Sequence, residues 1–292
     1  MNPRIRPVVV LFHPGESDIA SLLELARRGW HPVVVSNGAD AGQLETLRAA
    51  GIDLIDNAAN LGLAHALNQG IAQVFASGAS YVMLLDQDTR PPATLMDELL
   101  SRAEGFGAGG GKLACIGPRP VDRKAAEGVV PTTAALRSVQ TIITSGKLIP
   151  RSAFEQIGGM WNELFIDYID HEWCFRARAH GFDVLMAEDV AMPHDLGDAA
   201  VGPRGHERIL HRSPVRHYHL IRNALWMRHC AHVPRGWRLA ELARLAYRIP
   251  TFLAASTDRA RSLSEIRRGL RDGLAGPWSR SYSAASAGAS DG

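Results

Sequence analysis

Two acidic residues stand one residue apart at the end of an apolar run. Residues 81–88 read Tyr-Val-Met-Leu-Leu-Asp-Gln-Asp, so that Asp86 and Asp88 follow a predicted buried strand. Such strands present ligand sites at their carboxyl ends, and side-chain alternation lets both carboxylates point the same way. Their oxygens suit Mg2+ or Mn2+, with a substrate diphosphate completing the coordination shell. The alternative is a pair of turn-forming acids.

A predicted helix begins before that strand, at residues 60–70 (NLGLAHALNQG). Asn60 is a suitable N-cap, and Gly62 lets the backbone approach a ligand closely. The first turn of such a helix offers free N–H groups to anionic or carbonyl oxygens. The alternative is simple capping, with Asn68 tolerated inside the helix.

Three carboxylates fall within six residues at a loop-to-helix junction: Asp167, Asp170 and Glu172. An acid at a helix start is favoured by the helix dipole, which also lowers its pKa. The neighbouring residues are aromatic, and burying charge beside them is unfavourable without a partner or a role. The segment therefore offers either a general base or a structural cap.

A fourth cluster combines His194 with the arginines of residues 212–223. Neutral imidazole is a metal ligand, and arginines bind phosphates through paired hydrogen bonds. Arg216 and Arg222 lie six residues apart on a predicted helix and so do not share one narrow stripe. A lone histidine in a loop is more often a solvated or hydrogen-bonded residue.

The elements that must position these residues alternate between strand and helix in the first half of the chain. Apolar periodicity predicts strands at residues 8–12, 33–36, 52–56 and 81–85, and helices at residues 17–28, 43–50 and 61–77, with a further helix opened by Pro91 and Pro92. This alternation indicates a layered α/β fold with parallel crossovers.

The second half is less regular. The glycine-rich residues 105–111 are a flexible connection or a helix end, and residues 170–180 are helical. Helical spacing runs from residue 213 almost to residue 277. The patterns divide the chain into an α/β domain over residues 1–225, a helical extension over residues 226–278 and a disordered tail over residues 279–292.

The bulk composition is that of a globular protein, with 46% hydrophobic and 21% charged residues in 292. A formal net charge of +2 does not indicate a nucleic-acid binder. Cys115, Cys174 and Cys230 lie far apart, which disfavours a disulfide framework or zinc knuckle and fits a reducing cytoplasm. No apolar run reaches the roughly 18 residues of a membrane span, so we expect a cytoplasmic protein that at most lies on a membrane.

In this order and spacing, the segments resemble glycosyltransferase family 2, which has the GT-A fold. The sequences of these segments most resemble those of bacterial rhamnosyltransferases that use dTDP-L-rhamnose, including rhamnolipid-forming and polysaccharide-synthesising enzymes. The resemblance covers roughly residues 7–225 and implies a Rossmann-like domain with a mostly parallel central sheet. It rests on NLGLAHALNQG (60–70), LLDQDTRPP (84–92), TSGKLIP (144–150), FIDYIDHEWCFRARAHGF (165–182), MPHDLGD (192–198) and SPVRHYHLIRN (213–223).

The resemblance implies a role for each matching residue. Asp88 would be the direct metal ligand, Asp86 would lie nearer the sugar nucleotide, and His194 would be a further metal or diphosphate contact. Asp170 would be the catalytic base. The expected substrate contacts are Asn37 or Asp40 at the nucleobase, Ser145 and Gly146 between donor and acceptor, Arg222 and Asn223 near the diphosphate or the closing loop, and Asn60, Gly62, Asn68, Asp86 and Asp167.

The implied reaction is an inverting transfer of a sugar from a nucleotide-sugar donor to a glycan or lipid-like acceptor. A sugar-nucleotide pyrophosphorylase would need a glycine-rich phosphate loop after the first strand, and residues 11–16 supply none. A catalytically silent sugar-binding protein would have no use for Asp86, Asp88 and Asp170 together. A family 2 enzyme with another nucleotide sugar is the nearest alternative.

The C-terminal helices bear on the acceptor. Between residues 235 and 280 ten arginines stand against four acids, while Leu242, Leu245, Ile249 and Leu253 recur at helical intervals. A basic amphipathic helix of this kind can lie on the anionic cytoplasmic face of the inner membrane. The alternative is a helix packed on the domain with its arginines in solvent.

Overall fold

A computed structural model describes residues 4–122, 136–194, 200–201, 208–209 and 213–277. The tail over residues 279–292, expected to be disordered, lies outside these ranges. The strands are β1 (Ile5–Leu11), β2 (Val33–Ser36), β3 (Asp53–Asp56), β4 (Tyr81–Asp86), β5 (Leu113–Asp122), β6 (Leu136–Ser138), β7 (Lys147–Pro150), β8 (Asp183–His194), β9 (Ala200–Val201) and β10 (Arg208–Ile209). The helices are α1 (Glu16–Arg27), α2 (Ala41–Ala49), α3 (Leu63–Ala76), α4 (Leu95–Ala108), α5 (Arg151–Ile157), α6 (Ile169–Ala179), α7 (Pro214–Met227), α8 (Arg235–Ala255) and α9 (Arg259–Ala275), with a 3-10 turn at Asn162–Leu164.

The central sheet has the strand order β3-β2-β1-β4-β7-β5-β8-β6 within the described residues. Strands β3, β2, β1 and β4 are parallel. Strand β7 is antiparallel to both β4 and β5, and β8 is parallel to β5, so β4, β5 and β8 all run the same way. Only β7 and β6 oppose that direction among these eight strands. The expected α/β fold with a mostly parallel sheet is confirmed.

The first strands are apolar without alternation because both faces of the sheet are covered. Val8, Val9, Val34 and Val35 are each at most 1% exposed. Parallel sheets with helices on both sides produce such continuous hydrophobic runs. The polar residues that follow these strands are therefore confined to the edge where the strands end.

Two expectations about the elements need correction. The helix predicted to open at Pro91-Pro92 begins instead at Leu95, whose backbone N–H donates to the Pro92 carbonyl at 3.1 Å, so the prolines form the preceding turn. Strand β8 was not predicted. Its register with β5 jumps from Ala187 to Ala191, and this irregularity conceals the period of two by which a strand is recognised. The glycine-rich stretch proves to be a helix end, since α4 continues to Ala108.

The chain divides into two compact units. The first comprises the described parts of Met1–Phe165 and Ile169–Asp195, and the second those of Ile166–Tyr168 and Leu196–Gly292. The second unit includes α7 and so begins before residue 225, while the domain boundaries themselves stay a prediction. Within the described residues, no helix combines the length and hydropathy needed to cross a membrane.

Helices α7 and α9 approach each other closely because α9 carries glycines at their contact. A Cβ atom at Gly269 would lie 2.9 Å from the Tyr218 carbonyl oxygen, and one at Gly273 would lie 2.6 Å from Leu225 Cδ1. Both separations are too short for a side chain. The helical C-terminal extension is thus a packed assembly.

Candidate active site

Strand β4 delivers Asp86 to the edge of the sheet, and a tight turn follows at once. The Thr89 N–H donates to the Asp86 carbonyl at 3.0 Å, and the intervening Gln87 accepts from the Phe12 N–H at 2.8 Å. Asp86 is half-buried, whereas Asp88 is exposed. The turn is therefore anchored to β1 through Gln87 while Asp88 remains accessible to a ligand.

Ser145 and Gly146 lie beside this turn. The Ser145 and Thr89 hydroxyls are 2.5 Å apart and both are buried, while the Gly146 N–H donates to the Leu84 carbonyl at 2.8 Å. Gly146 has φ +79°, and a Cβ there would lie 2.8 Å from Pro118 Cγ. The structure therefore brings this pair to the end of β4. Their role between donor and acceptor stays a prediction.

The next residue, Lys147, is fully buried at the start of β7, opposite Leu84. Its Nζ lies 3.9 Å from the Sγ of Cys174. Burial by itself would lower the pKa of Lys147, but the charges of Cys174, Cys115 and Asp170 outweigh it and raise the pKa. The hydrogen bond with Cys115, opposed by burial and aided by Lys147, lowers the pKa of the Cys174 thiol to about 6.

Asp170 is the second residue of α6, where the helix dipole favours a negative charge. Its Oδ1 accepts from the His171 N–H at 2.9 Å and lies 2.9 Å from His171 Nδ1. Burial by itself would raise the pKa of this carboxyl. His171, and after it Lys147, lower the pKa by more than burial raises it, so the pKa falls below its ordinary value of 3.8. Asp170 is therefore ionised at neutral pH.

Lys147 links the acid pair to Asp170. It lies opposite Leu84, two residues before Asp86, and its charge acts on the carboxylate of Asp170. The carboxyl end of β4 and the first turn of α6 are consequently neighbours within the first unit.

The start of α3 is occupied by the chain itself. The N–H groups of Leu63 and Ala64 donate to the Phe165 carbonyl at 2.6 and 3.3 Å. Gly62 has φ +88°, and a Cβ there would lie 2.5 Å from the Phe165 ring. Asn60 Oδ1 accepts from the Gly62 N–H at 3.0 Å. The sequence predicted that the N–H groups at this helix start would bind an anionic or a carbonyl oxygen. In the structure they bind a carbonyl oxygen, and it belongs to Phe165 of the protein itself.

Asn68 of α3 forms hydrogen bonds to Met160 and Asn162, shortly before Phe165. Its Oδ1 accepts from the Met160 N–H and its Nδ2 donates to the Met160 carbonyl, both at 2.8 Å, while Nδ2 also reaches Asn162 Oδ1 at 2.7 Å. These hydrogen bonds give Asn68 a structural role and explain why a polar residue lies inside the helix. Substrate contacts of Asn60, Gly62 and Asn68 stay predictions.

Asn37 and Asp40 follow β2 at the same edge of the sheet. Asn37 is 3% exposed, donates to the Gly62 carbonyl at 3.2 Å and accepts from Asn57 Nδ2 at 2.9 Å. Asp40 caps α2 by accepting from the Gln43 N–H at 2.8 Å. Both therefore have structural partners, and their contact with a nucleobase stays a prediction.

His194 is the last residue of β8, opposite Asp122 of β5. Because β8 runs in the same direction as β4, its backbone ends at the same edge of the sheet as Asp86, three strand positions away. The His194 side chain and residues 195–198 lie outside what the structure describes. Among the side chains that are described, no group of three or more acids, histidines or cysteines could hold a metal ion.

The remaining expected contacts lie in the second unit. Arg222 stacks between the rings of Tyr218 and Trp226, at 5.1 and 4.3 Å from their centroids, and binds Asn223 Oδ1 at 2.8 Å. Asn223 is fully buried. Asp167 forms an ion pair with Arg216 at 2.9 Å. These contacts give all three residues structural partners, and the expected contacts with substrate stay predictions.

Sequence reasoning missed Lys147, Thr89 and His171. Lys147 was visible as the single charge in residues 144–150, directly before the apolar Leu148 and Ile149. Thr89 and His171 adjoin the predicted site residues Asp88 and Asp170 and could have been considered with them. The convergence of Cys115 and Cys174 on Lys147 had no local signal.

The first unit is a layered α/β fold in which Asp86 and Asp88 follow β4 and Asp170 lies in the first turn of α6. Residues 8–158, just over half of the chain, match glycosyl transferase family 2. The chain belongs to that family and is a glycosyltransferase. This membership decides against the pyrophosphorylase reading.

Two relatives extend the comparison. The chain is 28% identical over 298 residues to the dTDP-rhamnosyl transferase RfbF of Shigella flexneri, covering 94% of this chain and 97% of that protein. It is also 28% identical over 196 residues to an uncharacterized protein of Mycobacterium tuberculosis, covering 64% of this chain and 72% of that protein. The first similarity spans both units.

Solved structures confirm the fold. TarS of S. aureus, residues 1–349, superposes with a TM-score of 0.54 at 15% identity, covering 93% of this chain and 80% of that one. GalNAc-T7, crystallised with UDP, GalNAc and Mn2+, superposes with a TM-score of 0.51 at 14% identity over 66% of this chain. This chain spans 44% of GalNAc-T7, less than half its length.

Proposed function

We propose that this protein is a rhamnosyltransferase that moves L-rhamnose from dTDP-L-rhamnose to a hydroxyl group of a glycan or lipid-like acceptor. The observation that carries the proposal is the similarity to a dTDP-rhamnosyl transferase along 94% of the chain. The motifs around Asp86, Asp88 and Asp170 fall within that similarity in the order typical of such enzymes. The product would enter a polysaccharide or a rhamnolipid.

The donor diphosphate would be held with a divalent cation, Mg2+ or Mn2+. Asp88 is exposed at the turn after β4 and Asp86 is half-buried beside it, so two carboxylates are available from the protein. Mg2+ is commonly bound by one or two carboxylates together with substrate phosphates, and this donor set fits. When bound, the cation neutralises charge on the departing diphosphate. His194 would add a ligand from the end of β8.

Asp170 would act as the general base in a single displacement with inversion. Its carboxylate, ionised at neutral pH, takes the acceptor hydroxyl proton as the acceptor oxygen forms its bond to the anomeric carbon. The bond from that carbon to the diphosphate breaks, and dTDP leaves with the electron pair. Burial raises the pKa of this carboxyl, but His171 and, to a smaller extent, the buried Lys147 lower the pKa and keep the base ionised.

The remaining expected residues would shape the donor pocket. Asn37 and Asp40, at the end of β2, would face the nucleobase, and Ser145 and Gly146 would line the passage between donor and acceptor. A side chain at Gly146 would clash with Pro118 and Met192, so this position requires glycine.

A donor panel tests the function. The purified protein is incubated with dTDP-L-rhamnose, other dTDP-sugars and UDP-sugars, with Mg2+, Mn2+ or a chelator, and nucleoside diphosphate release is measured. We expect release from dTDP-L-rhamnose alone, and only with a divalent cation. Release from another donor would identify a family 2 enzyme of different specificity. Unchanged release in chelator would refute the metal assignment.

The acceptor would be presented at the cytoplasmic face of a membrane. The outer side of α8 exposes Leu239, Leu242 and Tyr247, which are 70%, 37% and 53% accessible. Arg235 and Arg244 are exposed on the same helix. Apolar side chains beside arginines are the combination by which an interfacial helix binds an anionic lipid surface.

A further inference from the structure

The segment that precedes Asp170 has an unusual backbone. Phe165, Asp167 and Tyr168 have φ values of +65°, +64° and +63°, in the left-handed region that residues with side chains rarely adopt. Such conformations are unfavourable and persist only where the surroundings hold them. The turn over residues 166–168, called here the α6 turn, therefore needs contacts that maintain it.

Helix α7 supplies the first set of contacts. Arg216 donates to Asp167 through Nη2 to Oδ1 at 2.9 Å and through Nε to Oδ2 at 3.1 Å, a two-point ion pair. Asn223 Nδ2 donates to the carbonyls of Ile166 and Asp167 at 2.8 and 3.1 Å. Together these bonds engage the side chain and two backbone carbonyls of the α6 turn.

Helix α8 supplies the second set through Tyr168. The Tyr168 hydroxyl donates to Glu241 Oε1 at 2.5 Å and accepts from Arg248 at 2.9 Å. Arg244 also binds Glu241, and the Trp237 ring meets the Tyr168 ring edge-on at 6.0 Å. Tyr168 and Glu241 are 7% and 2% exposed, whereas the side chains of Arg244 and Arg248 are more accessible to solvent.

We propose that α7 and α8 position the catalytic base: by holding the α6 turn in its left-handed conformation, Arg216, Tyr168 and Glu241 set where α6 begins and therefore where Asp170 lies. The inference rests on the proposed function of Asp170. Helix α6 starts at Ile169, directly after the turn, and Asp170 is its second residue. The three residues are positioning residues that act through the backbone.

The consequence for catalysis follows from the reach of a base. A general base must come within hydrogen-bond distance of the proton it removes, and a displacement of about 1 Å can reduce the rate about 100-fold. The proposed ligands of the cation and diphosphate, Asp86 and Asp88, follow β4 and lie outside the α6 turn. Loosening the turn should therefore lower kcat while leaving donor affinity unchanged.

The test uses the full-length protein with Arg216→Gln and Tyr168→Phe, the second removing a single oxygen atom. We expect kcat to fall about 10- to 100-fold in each, with donor KM changed by less than about twofold. Arg216→Lys, which keeps the charge, should recover part of the loss. The matched control is Glu265→Gln, which removes an ion pair with Arg268 in α9 and should keep the parent kcat.

A double-mutant cycle makes the test specific. Asp167→Asn combined with Arg216→Gln should be no slower than the slower single variant, because the two residues act through one contact. Parent kcat in both Arg216→Gln and Tyr168→Phe would overturn the inference. The inference would also be overturned if the losses of kcat were in proportion to the losses of thermal stability. If Arg216→Gln does not fold, Tyr168→Phe decides.

The outcomes separate this inference from the proposed function. Full activity of Asp170→Asn would refute the base assignment, whatever the turn variants do. Loss of activity in Asp170→Asn with full activity in the turn variants would refute only the positioning role of α7 and α8.

Discussion

At the residue scale, Asp170 combines an ionised carboxylate with a place at the first turn of α6. Replacing it by asparagine removes the proton acceptor and keeps the side-chain size. We expect Asp170→Asn to lower kcat by about 10²–10⁴-fold, the usual contribution of a general base, with an unchanged circular dichroism spectrum. Asp97→Asn, at an exposed position of α4, is the control and should retain the parent rate.

The environment of Asp170 predicts a pH dependence. Because its pKa lies below the ordinary value, the base stays ionised and kcat should not decline through Asp170 between pH 8 and about pH 5. Removing His171, the largest lowering contribution, raises the pKa. His171→Gln should therefore lose activity at a higher pH than the parent on the acid side, measured as kcat between pH 4 and 8. Identical acid limbs would contradict this explanation.

The same shift contributes to stability with a definite sign. The pKa of Asp170 is lower in the folded than in the unfolded protein, so its contribution is present above the unfolded value of about 3.8 and is lost as the pH falls below it. Loss of activity near pH 5 would consequently have another origin than protonation of Asp170.

Asp88 tests the metal proposal separately from the base. Its carboxylate is exposed at the turn after β4. We expect Asp88→Ala to abolish the increase in dTDP affinity that Mg2+ produces, measured by titration calorimetry with and without the cation. Affinity for dTDP in chelator should be the same as in the parent. A full Mg2+ effect in Asp88→Ala would assign the cation to other residues.

At the scale of elements, the contact of α3 with Phe165 supports the approach to the site. Gly62→Ala combines a left-handed φ of +88° with a Cβ placed 2.5 Å from the Phe165 ring. Gly29→Ala is the matched control, with φ +76° and nothing within 4 Å. We expect a loss of about 1 kcal/mol in the control, from the backbone alone, and about 1–3 kcal/mol more in Gly62→Ala from overpacking.

Urea unfolding followed by circular dichroism measures both glycine variants. Equal losses of unfolding free energy would show that the Phe165 contact does not restrict the position. A larger loss at Gly62 that leaves donor affinity unchanged would mean that the glycine serves packing. A lower donor affinity as well would support the predicted substrate contact at this helix start.

At the scale of the whole molecule, the basic C-terminal helices predict binding to anionic membranes. The full-length protein should float with vesicles containing phosphatidylglycerol at low salt, remain behind with neutral vesicles, and be released at high salt, since each arginine near such a surface contributes about 1 kcal/mol. Leu239→Glu should weaken flotation, whereas Leu61→Glu, an exposed leucine in the first unit, should not. Flotation independent of lipid charge would exclude the electrostatic explanation.

Most of the helices and strands could be predicted from the sequence, and so could a candidate location for the site. Continuous apolar runs predict buried strands, helical spacing predicts the crossovers, and acids directly after β4 and at the start of α6 mark the end of the sheet where ligands bind. These inferences succeed because each depends on residues that are close together in the chain. Strand β8 was missed because a break in register conceals its periodicity.

Only the tertiary structure decided which distant side chains meet. Arg216 lies 49 residues from Asp167, and Glu241 lies 73 residues from Tyr168, yet these pairs hold the α6 turn. Buried Lys147 likewise meets residues that are distant in the sequence, because it contacts Cys174 and interacts electrostatically with Asp170. Periodicity records which face of an element is buried, but it does not record which partner is buried against it. That choice follows from long-range packing of the whole chain.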